Sequence, residues 1–296
     1  MKLIDFMQSK ALEIDKTLDS YLPREDQFPP FIHQSMRYSI YAGGKRLRPI
    51  LALAATEAVG GDVVKTMPVA CALEMIHTYS LIHDDLPGMD NDDYRRGKLT
   101  NHKVYGEGIA ILAGCALLTY AFQLITQECK KQSVEPELIL QVIQEISQAA
   151  GVEGMIGGQA VDLESEGKPI SLDTLEYIHK HKTGALLRCS LRVGAILGGA
   201  TPDQLNRLTL YAEKIGLAFQ IMDDILDLIG DEKKLGKKVG SDLSKDKATY
   251  PAFYGLEQSK EMAVDLVSQA KEEINIFGEQ GEILCQLADY FVDREF

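Results

Sequence analysis

Positive charge is in short supply in this chain: 31 Lys and Arg stand against 44 Asp and Glu, a formal net charge of -13. That balance excludes general electrostatic attraction to nucleic acid or an anionic membrane surface, so any bound anion has to be held by a local basic cluster. Paired cysteines are missing too. Cys71, Cys115, Cys129, Cys189 and Cys285 are odd in number, scattered and without a CxxC pair, which suits buried, reduced thiols rather than a disulfide framework. Asp5, Glu13 and Asp15 interrupt any apolar signal core near the start, so no secretory segment is expected and the cytoplasm is the expected location. Alternating strand patterns and long polar linkers are also lacking. What is there is an ordinary globular composition, 45% hydrophobic and 25% charged over 296 residues, which argues against disorder and against a polytopic membrane protein.

The apolar residues Leu3, Ile4, Met7, Ala11, Ile14, Leu18 and Leu22 recur at three- and four-residue steps, the period of an amphipathic helix. Similar stretches predict helices over 49–59, 66–83, 107–129, 136–150, 172–181, 184–198, 203–229, 259–276 and 280–292. In Thr201-Pro202-Asp203-Gln204, a capping Thr, a Pro at the first helical position and a Gln three residues after the cap mark a helix start. Breaks are expected at Pro29-Pro30, Gly43-Gly44, Gly60-Gly61, Pro87-Gly88, Gly157-Gly158, Gly198-Gly199 and Gly236 to Gly240. Ile109 to Gln127 carries no charge, but Gly114, Thr119, Tyr120, Gln123 and Thr126 dilute it, so it is expected to be a helix buried on all sides of a helical core rather than a membrane span. The expectation is one all-α domain over 1–296.

Two acidic clusters close apolar helices. The first runs Asp84-Asp85-Leu86-Pro87-Gly88-Met89-Asp90-Asn91-Asp92-Asp93. Crowded carboxylates raise one another's pKa unless a cation neutralises them, and ligands this hard suit Mg²⁺ shared with a phosphorylated compound. Asp90 lies six residues after Asp84, off its helical face, so Pro87-Gly88 has to end or bend the helix to bring it back. In the second cluster, Asp223-Asp224-Ile225-Leu226-Asp227, Asp223 and Asp227 fall within about 40° of each other on a helix, and no neighbour in sequence neutralises the three. Two such groups in one bundle can face each other across a cavity.

Basic segments accompany them. Gly43-Gly44-Lys45-Arg46-Leu47-Arg48-Pro49 sets three cations between a flexible Gly pair and a Pro suited to a helix start, where an anion can meet them; the spacing is not that of a Walker loop. Arg95 and Arg96 follow the first acidic cluster directly and offer rigid forks for phosphate. His77, seven residues before Asp84, lies about 20° from its face. Lys182 and Thr183 interrupt an apolar stretch, where Thr183 serves equally well as a helix cap, and Gly236 to Asp242 forms a flexible basic loop around Lys237. Solvated surface is the alternative for the Gly43, Arg95-Arg96 and Gly236 segments taken singly, and a satisfied core histidine the alternative for His77.

Taken in order, Gly43 to Pro49, Asp84-Asp85 with Asp90, Arg95-Arg96-Gly97, Lys182-Thr183, Phe219-Gln220, Asp223-Asp224 with Asp227, and Gly236-Lys237 resemble the trans-polyprenyl diphosphate synthases along almost the whole chain, most closely the bacterial farnesyl diphosphate synthase group. The resemblance implies an all-helical terpenoid-synthase fold around a central active-site cavity, and a homodimer. It implies that Asp84, Asp85, Asp90, Asp223, Asp224 and Asp227 hold Mg²⁺, three ions per site, against an allylic diphosphate that Arg95, Lys182 and Lys237 also grip. Lys45, Arg48, His77 and Arg96 would then bind isopentenyl diphosphate, with Thr183 and Gln220 beside the reacting carbon. The implied reaction condenses isopentenyl diphosphate with dimethylallyl or geranyl diphosphate. Tyr79, about 7.5 Å down a helix from Asp84, would be the floor that limits product length, although Ser80 lies nearer the Asp84 face. Farnesyl diphosphate is the expected product, with geranylgeranyl diphosphate next. The ending Asp293-Arg294-Glu295-Phe296 departs from the more basic tail of many relatives.

Three other functions compete. A metal phosphohydrolase using His83-Asp84, with His77, His102 or His179, leaves the second aspartate group unexplained. A terpene cyclase has no use for two basic sites. A non-catalytic partner subunit is expected to lack some metal carboxylates, and this chain has both sets.

Overall fold

The computed structural model describes residues 3–229 and 248–292. It is all-α apart from one two-residue hairpin. The chain packs as two compact units, one of Met1–Leu53 with Val63–Ile143 and one of Ala54–Asp62 with Gln144–Phe296.

The first unit contains α1 (Leu3–Tyr21), α2 (Pro30–Ile40), α4 (Val63–Asp84), a short α5 (Asn101–Tyr105) and α6 (Glu107–Lys131), and α3 (Leu47–Ala58) starts within it. The break expected at Pro29-Pro30 lies at the start of α2, where Pro29 is extended and Pro30 opens the helix, because a Pro in the first turn has no N–H to leave unpaired. The core is the pairing of α4 with α6. Most of α4 is buried, from Thr66 to Ile76 and again at Thr78, Tyr79 and Ile82, as expected of a helix apolar on nearly every face. Helix α6 corrects one expectation. It buries a single stripe through Ala110, Ala113, Gly114, Leu117, Ala121, Leu124 and Ile125, while Ile111 (44%) and Leu112 (57%) on the other side are exposed. By length and composition alone Glu107–Lys131 is also apolar enough to cross a membrane.

The second unit holds the end of α7 (Pro136–Ala150), α8 (Met155–Ser165), α9 (Leu172–Ile178), α10 (Ala185–Leu197), α11 (Pro202–Ile229) and the helices Tyr250–Tyr254, Leu256–Ile274 and Glu282–Val292. The Thr201 start is built as its residues dictate: the Gln204 N–H donates to Thr201 Oγ1 at 3.3 Å and the Thr201 N–H to Gln204 Oε1 at 2.9 Å. Two other expectations are corrected. Gly157-Gly158 lies inside α8 rather than breaking the chain, and no gap separates α9 from α10, because His179–Gly184 continues as a π-helix. A π turn inserts an extra residue per turn and is enriched at functional positions. Leu175, Ile221, Met222, Ile225, Tyr250 and Ala263 form the core beneath the second aspartate cluster.

Candidate active site

In the first unit the apolar helix α4 ends at Asp84, and the chain turns back at once. The Asp90 N–H donates to the Asp84 carbonyl at 2.8 Å and the Met89 N–H to Leu86 at 2.9 Å, so the bend at Pro87-Gly88 returns Asp90 to the helix end. Asp85 is buried at 3% exposure. Arg95 reaches it with Nε at 2.7 Å and Nη2 at 2.5 Å from Oδ1. Burial pushes the Asp85 carboxyl up, and the Arg95 guanidinium pulls against that rise.

Arg95 and Arg96 part company because of the hairpin. Tyr94 pairs with Leu99 and Arg95 with Lys98, leaving Arg96 (φ 54°) and Gly97 (φ 75°) at the corner, the left-handed pair that a tight two-residue turn requires. Arg95 thus serves the acidic cluster, while Arg96 donates from Nη1 to the Gly43 carbonyl. Gly44, at φ 126°, faces the Arg96 guanidinium so closely that a Cβ would overlap it. Arg48 is close enough to Arg96 to feel its charge. Burial brings the Arg48 guanidinium down to about 10, with Glu74 opposing and Arg96 adding to the fall, and its buried Nε has no hydrogen-bond partner among the described residues. His77 is pushed well below its ordinary value by burial and then by Arg48, Arg96, Arg95 and Arg46, and so is neutral near pH 7. An anion set among these guanidiniums relieves their mutual repulsion. Lys45 is exposed in the same segment.

Arg46, grouped in the sequence with Lys45 and Arg48 as an anion ligand, is spent internally. It is buried and donates to Asp15 (2.7 Å), Glu74 (2.9 Å) and the carbonyls of Ile40 (2.7 Å) and Gly43 (3.1 Å). Below the first acidic cluster, Tyr79 is 7% exposed, and burial raises its phenol, with smaller contributions from Asp84 and Cys115. Ser80 turns inward to donate to the His77 carbonyl at 2.9 Å.

In the second unit a cavity of about 230 Å³ is lined by Lys182, Gln220, Asp223 and Asp224, together with Asp162, His179 and apolar Ile170, Leu175 and Ile178. Lys182 Nζ lies 2.6 Å from Asp162 Oδ2. Thr183 is not a helix cap: its hydroxyl donates to Gln220 Oε1 at 3.2 Å, coupling the π-helix to α11. Asp224 Oδ2 accepts from the Tyr250 N–H at 2.9 Å and has His179 Nε2 at 3.3 Å, so partners distant in sequence supply what its neighbours do not. Asp227, one turn on, is 3% exposed. Sequence reasoning missed Asp162 as a cavity residue and weighed His179 only as a ligand of a phosphohydrolase, not as a partner of Asp224. It also missed Gln159, three residues before Asp162 on α8, whose buried amide has no partner among the described residues. Taking Gly157-Gly158 as a break hid the i, i+3 spacing of Gln159 and Asp162. Lys237 and the tail 293–296 lie outside the described residues.

No three His, Cys, Asp or Glu side chains form a ready-made metal cage among the described residues. Magnesium does not need one, since it takes one or two carboxylates and completes its shell with water and substrate phosphate. The donors present are carboxylate oxygens, and Asp85 and Asp224 meet their protein partners through a single oxygen each, so the set fits that ion. A hydrolase built on histidine ligands fits less well: His83 Nε2 is taken by the Ile111 carbonyl (3.1 Å) and His102 Nδ1 lies 3.1 Å from the Thr100 hydroxyl.

Residues 29–280 match the polyprenyl synthetase family. The chain is 52% identical to a geranylgeranyl diphosphate synthase of Cyanophora paradoxa, across 99% of this chain and 96% of that protein. It is 49% identical to a farnesyl diphosphate synthase of Geobacillus stearothermophilus, across 98% and 97%. The crystal structure of an FPP/GFPP synthase from Zymomonas mobilis matches with a TM-score of 0.87 at 39% identity, covering 98% of each chain.

Proposed function

The chain belongs to the polyprenyl synthetase family, and from that premise we propose that it is a short-chain trans-prenyltransferase that makes farnesyl diphosphate from isopentenyl diphosphate and dimethylallyl or geranyl diphosphate. The observation that carries this reading is the division of the two arginines: Arg95 bonds to Asp85 in the acidic cluster, while Arg96 bonds to the Gly43 carbonyl and stands near Arg48 and His77. One diphosphate that shares metal and one that does not call for two such places.

Asp84, Asp85 and Asp90, with Asp223, Asp224 and Asp227, would hold Mg²⁺, which when bound neutralises charge on the departing diphosphate. Arg95 and Lys182 would hold the same diphosphate, with Lys237 assigned to it by the family pattern alone. Their fixed positive charge favours breakage of the allylic C–O bond, because charge builds on the leaving oxygen. The hydroxyl of Thr183 and the amide of Gln220, already bonded to each other, are oriented toward the resulting allylic cation. Lys45, Arg48, His77 and Arg96 orient isopentenyl diphosphate so that its double bond attacks that cation. Neutral His77 adds no positive charge of its own there. A proton then leaves the new carbon chain to the released diphosphate, and a dry apolar wall keeps water from quenching the cation.

The length of the product rests on Tyr79. Tyr79→Ala removes the bulk of the floor and is expected to shift the product from farnesyl to geranylgeranyl diphosphate, read by chromatography of the dephosphorylated alcohols; an unchanged product would overturn that role. The similarity to a geranylgeranyl diphosphate synthase supports that compound as the second reading for the wild-type chain, and the same assay on wild type decides between them. The apolar residues that α6 leaves exposed, Ile111 and Leu112, support a homodimer. The five free cysteines support a cytoplasmic enzyme.

A further inference from the structure

Directly below the first acidic cluster, the ring of His83 is held on three sides. It meets Tyr79 edge to face, with centroids 5.2 Å apart and planes at 84°. Its Nε2 lies 3.1 Å from the Ile111 carbonyl of α6, and since a carbonyl only accepts, that nitrogen carries the hydrogen. The third side is a notch in α6 made by Gly114. A Cβ there would overlap His83 Nε2 and Cδ2 and come within 3.2 Å of Cε1. Gly114 lies mid-helix, where glycine costs about 0.5–1 kcal/mol against alanine, and nothing in the helical backbone asks for it. The ring of His83 does.

We propose that Gly114 is a specificity-determining position: by having no side chain it seats His83 against Tyr79 and so fixes the height of the floor that limits product length. This rests on the reading of Tyr79 given above and deepens it. The ring of Tyr79 meets that of His83 at its edge, and His83 is itself held to α6. A methyl group at 114 pushes His83 out of the notch, breaks its bond to Ile111 and takes the edge contact from Tyr79. The phenol ring is then free to swing aside, and a longer prenyl chain fits. Gly114 touches no reacting atom. It acts through His83 and Tyr79, so its signature is the product ratio rather than the rate.

The test incubates wild type, Gly114→Ala, His83→Asn, Tyr79→Ala and the Tyr79→Ala/Gly114→Ala pair with isopentenyl and geranyl diphosphates and Mg²⁺, and reads the ratio of geranylgeranyl to farnesyl product. Gly114→Ala is expected to raise that ratio several-fold, toward the roughly tenfold that a methylene-sized change in an apolar pocket commands. His83→Asn removes the ring without crowding α6, so it raises the ratio too and carries the test if Gly114→Ala does not fold. In the Tyr79→Ala background the Gly114 change is expected to have no further effect. A wild type that elongates, with a ratio unchanged or lowered in Gly114→Ala and His83→Asn, overturns the inference alone, as does an equal further shift in the Tyr79→Ala background. A wild type that makes no longer prenyl diphosphate overturns the functional reading itself, and the inference with it.

Discussion

Replacing Asp84 or Asp223 with alanine is expected to lower turnover by roughly 10²–10³-fold, the range measured when one preorganised group that stabilises developing charge is removed, about 2.7–4 kcal/mol. The fold is expected to survive. Asp84 is the last residue of α4, and the turn behind it is held by backbone, the Asp90 N–H on the Asp84 carbonyl and the Met89 N–H on Leu86, none of which needs the carboxylate. Asp223 lines the cavity with Lys182 and Gln220, on a helix whose core residues Ile221, Met222 and Ile225 point elsewhere. Circular dichroism is therefore expected to match wild type while kcat collapses and more Mg²⁺ is needed to reach it. Near-normal turnover in either variant would remove that residue from the metal site.

Arg46→Met is expected to destabilise the first unit by about 3–5 kcal/mol, the cost of leaving one member of a buried ion pair without its partner. Arg46 and Glu74 side chains are each 2% exposed and 2.9 Å apart. Removing the guanidinium strands the Glu74 carboxylate and also takes donors from the Ile40 and Gly43 carbonyls. At about 2 °C per kcal/mol, the lower end of the range for chains near 250 residues, the melting temperature is expected to fall by about 6–10 °C. The double variant Arg46→Met with Glu74→Leu is expected to recover a substantial part of the loss, because an apolar pair leaves no charge to bury. The segment that Arg46 ties down also carries Lys45 and Arg48, so affinity for isopentenyl diphosphate should weaken in the single variant even where it stays folded. An unfolding free energy from urea titration within about 1 kcal/mol of wild type, the worth of an exposed ion pair, would contradict this account.

The helices were legible wherever periodicity was long. The Thr201 start was legible down to its two reciprocal hydrogen bonds, because capping is a matter of four consecutive residues. The return of Asp90 to Asp84 followed from helix geometry and the Pro87-Gly88 pair. The missing pieces are those whose cause lies far along the chain. Arg46 looked like a phosphate ligand because its partners Asp15 and Glu74 lie 31 and 28 residues away. Asp162, 20 residues from Lys182, was invisible for the same reason, and His179, weighed only as a hydrolase ligand, was not matched with Asp224, 45 residues away. The π-helix at His179–Gly184 hid behind polar residues that resembled a break, and α6 passed for a fully buried helix because composition does not say which face meets a neighbour.

The most direct measurement is a mass balance on the purified chain supplied with isopentenyl diphosphate, geranyl diphosphate and Mg²⁺, following inorganic diphosphate, inorganic phosphate and prenyl products together. Condensation predicts that one inorganic diphosphate appears for each isopentenyl unit built into a longer prenyl diphosphate, and that both vanish when Mg²⁺ is chelated. Inorganic phosphate released with no chain growth would contradict it.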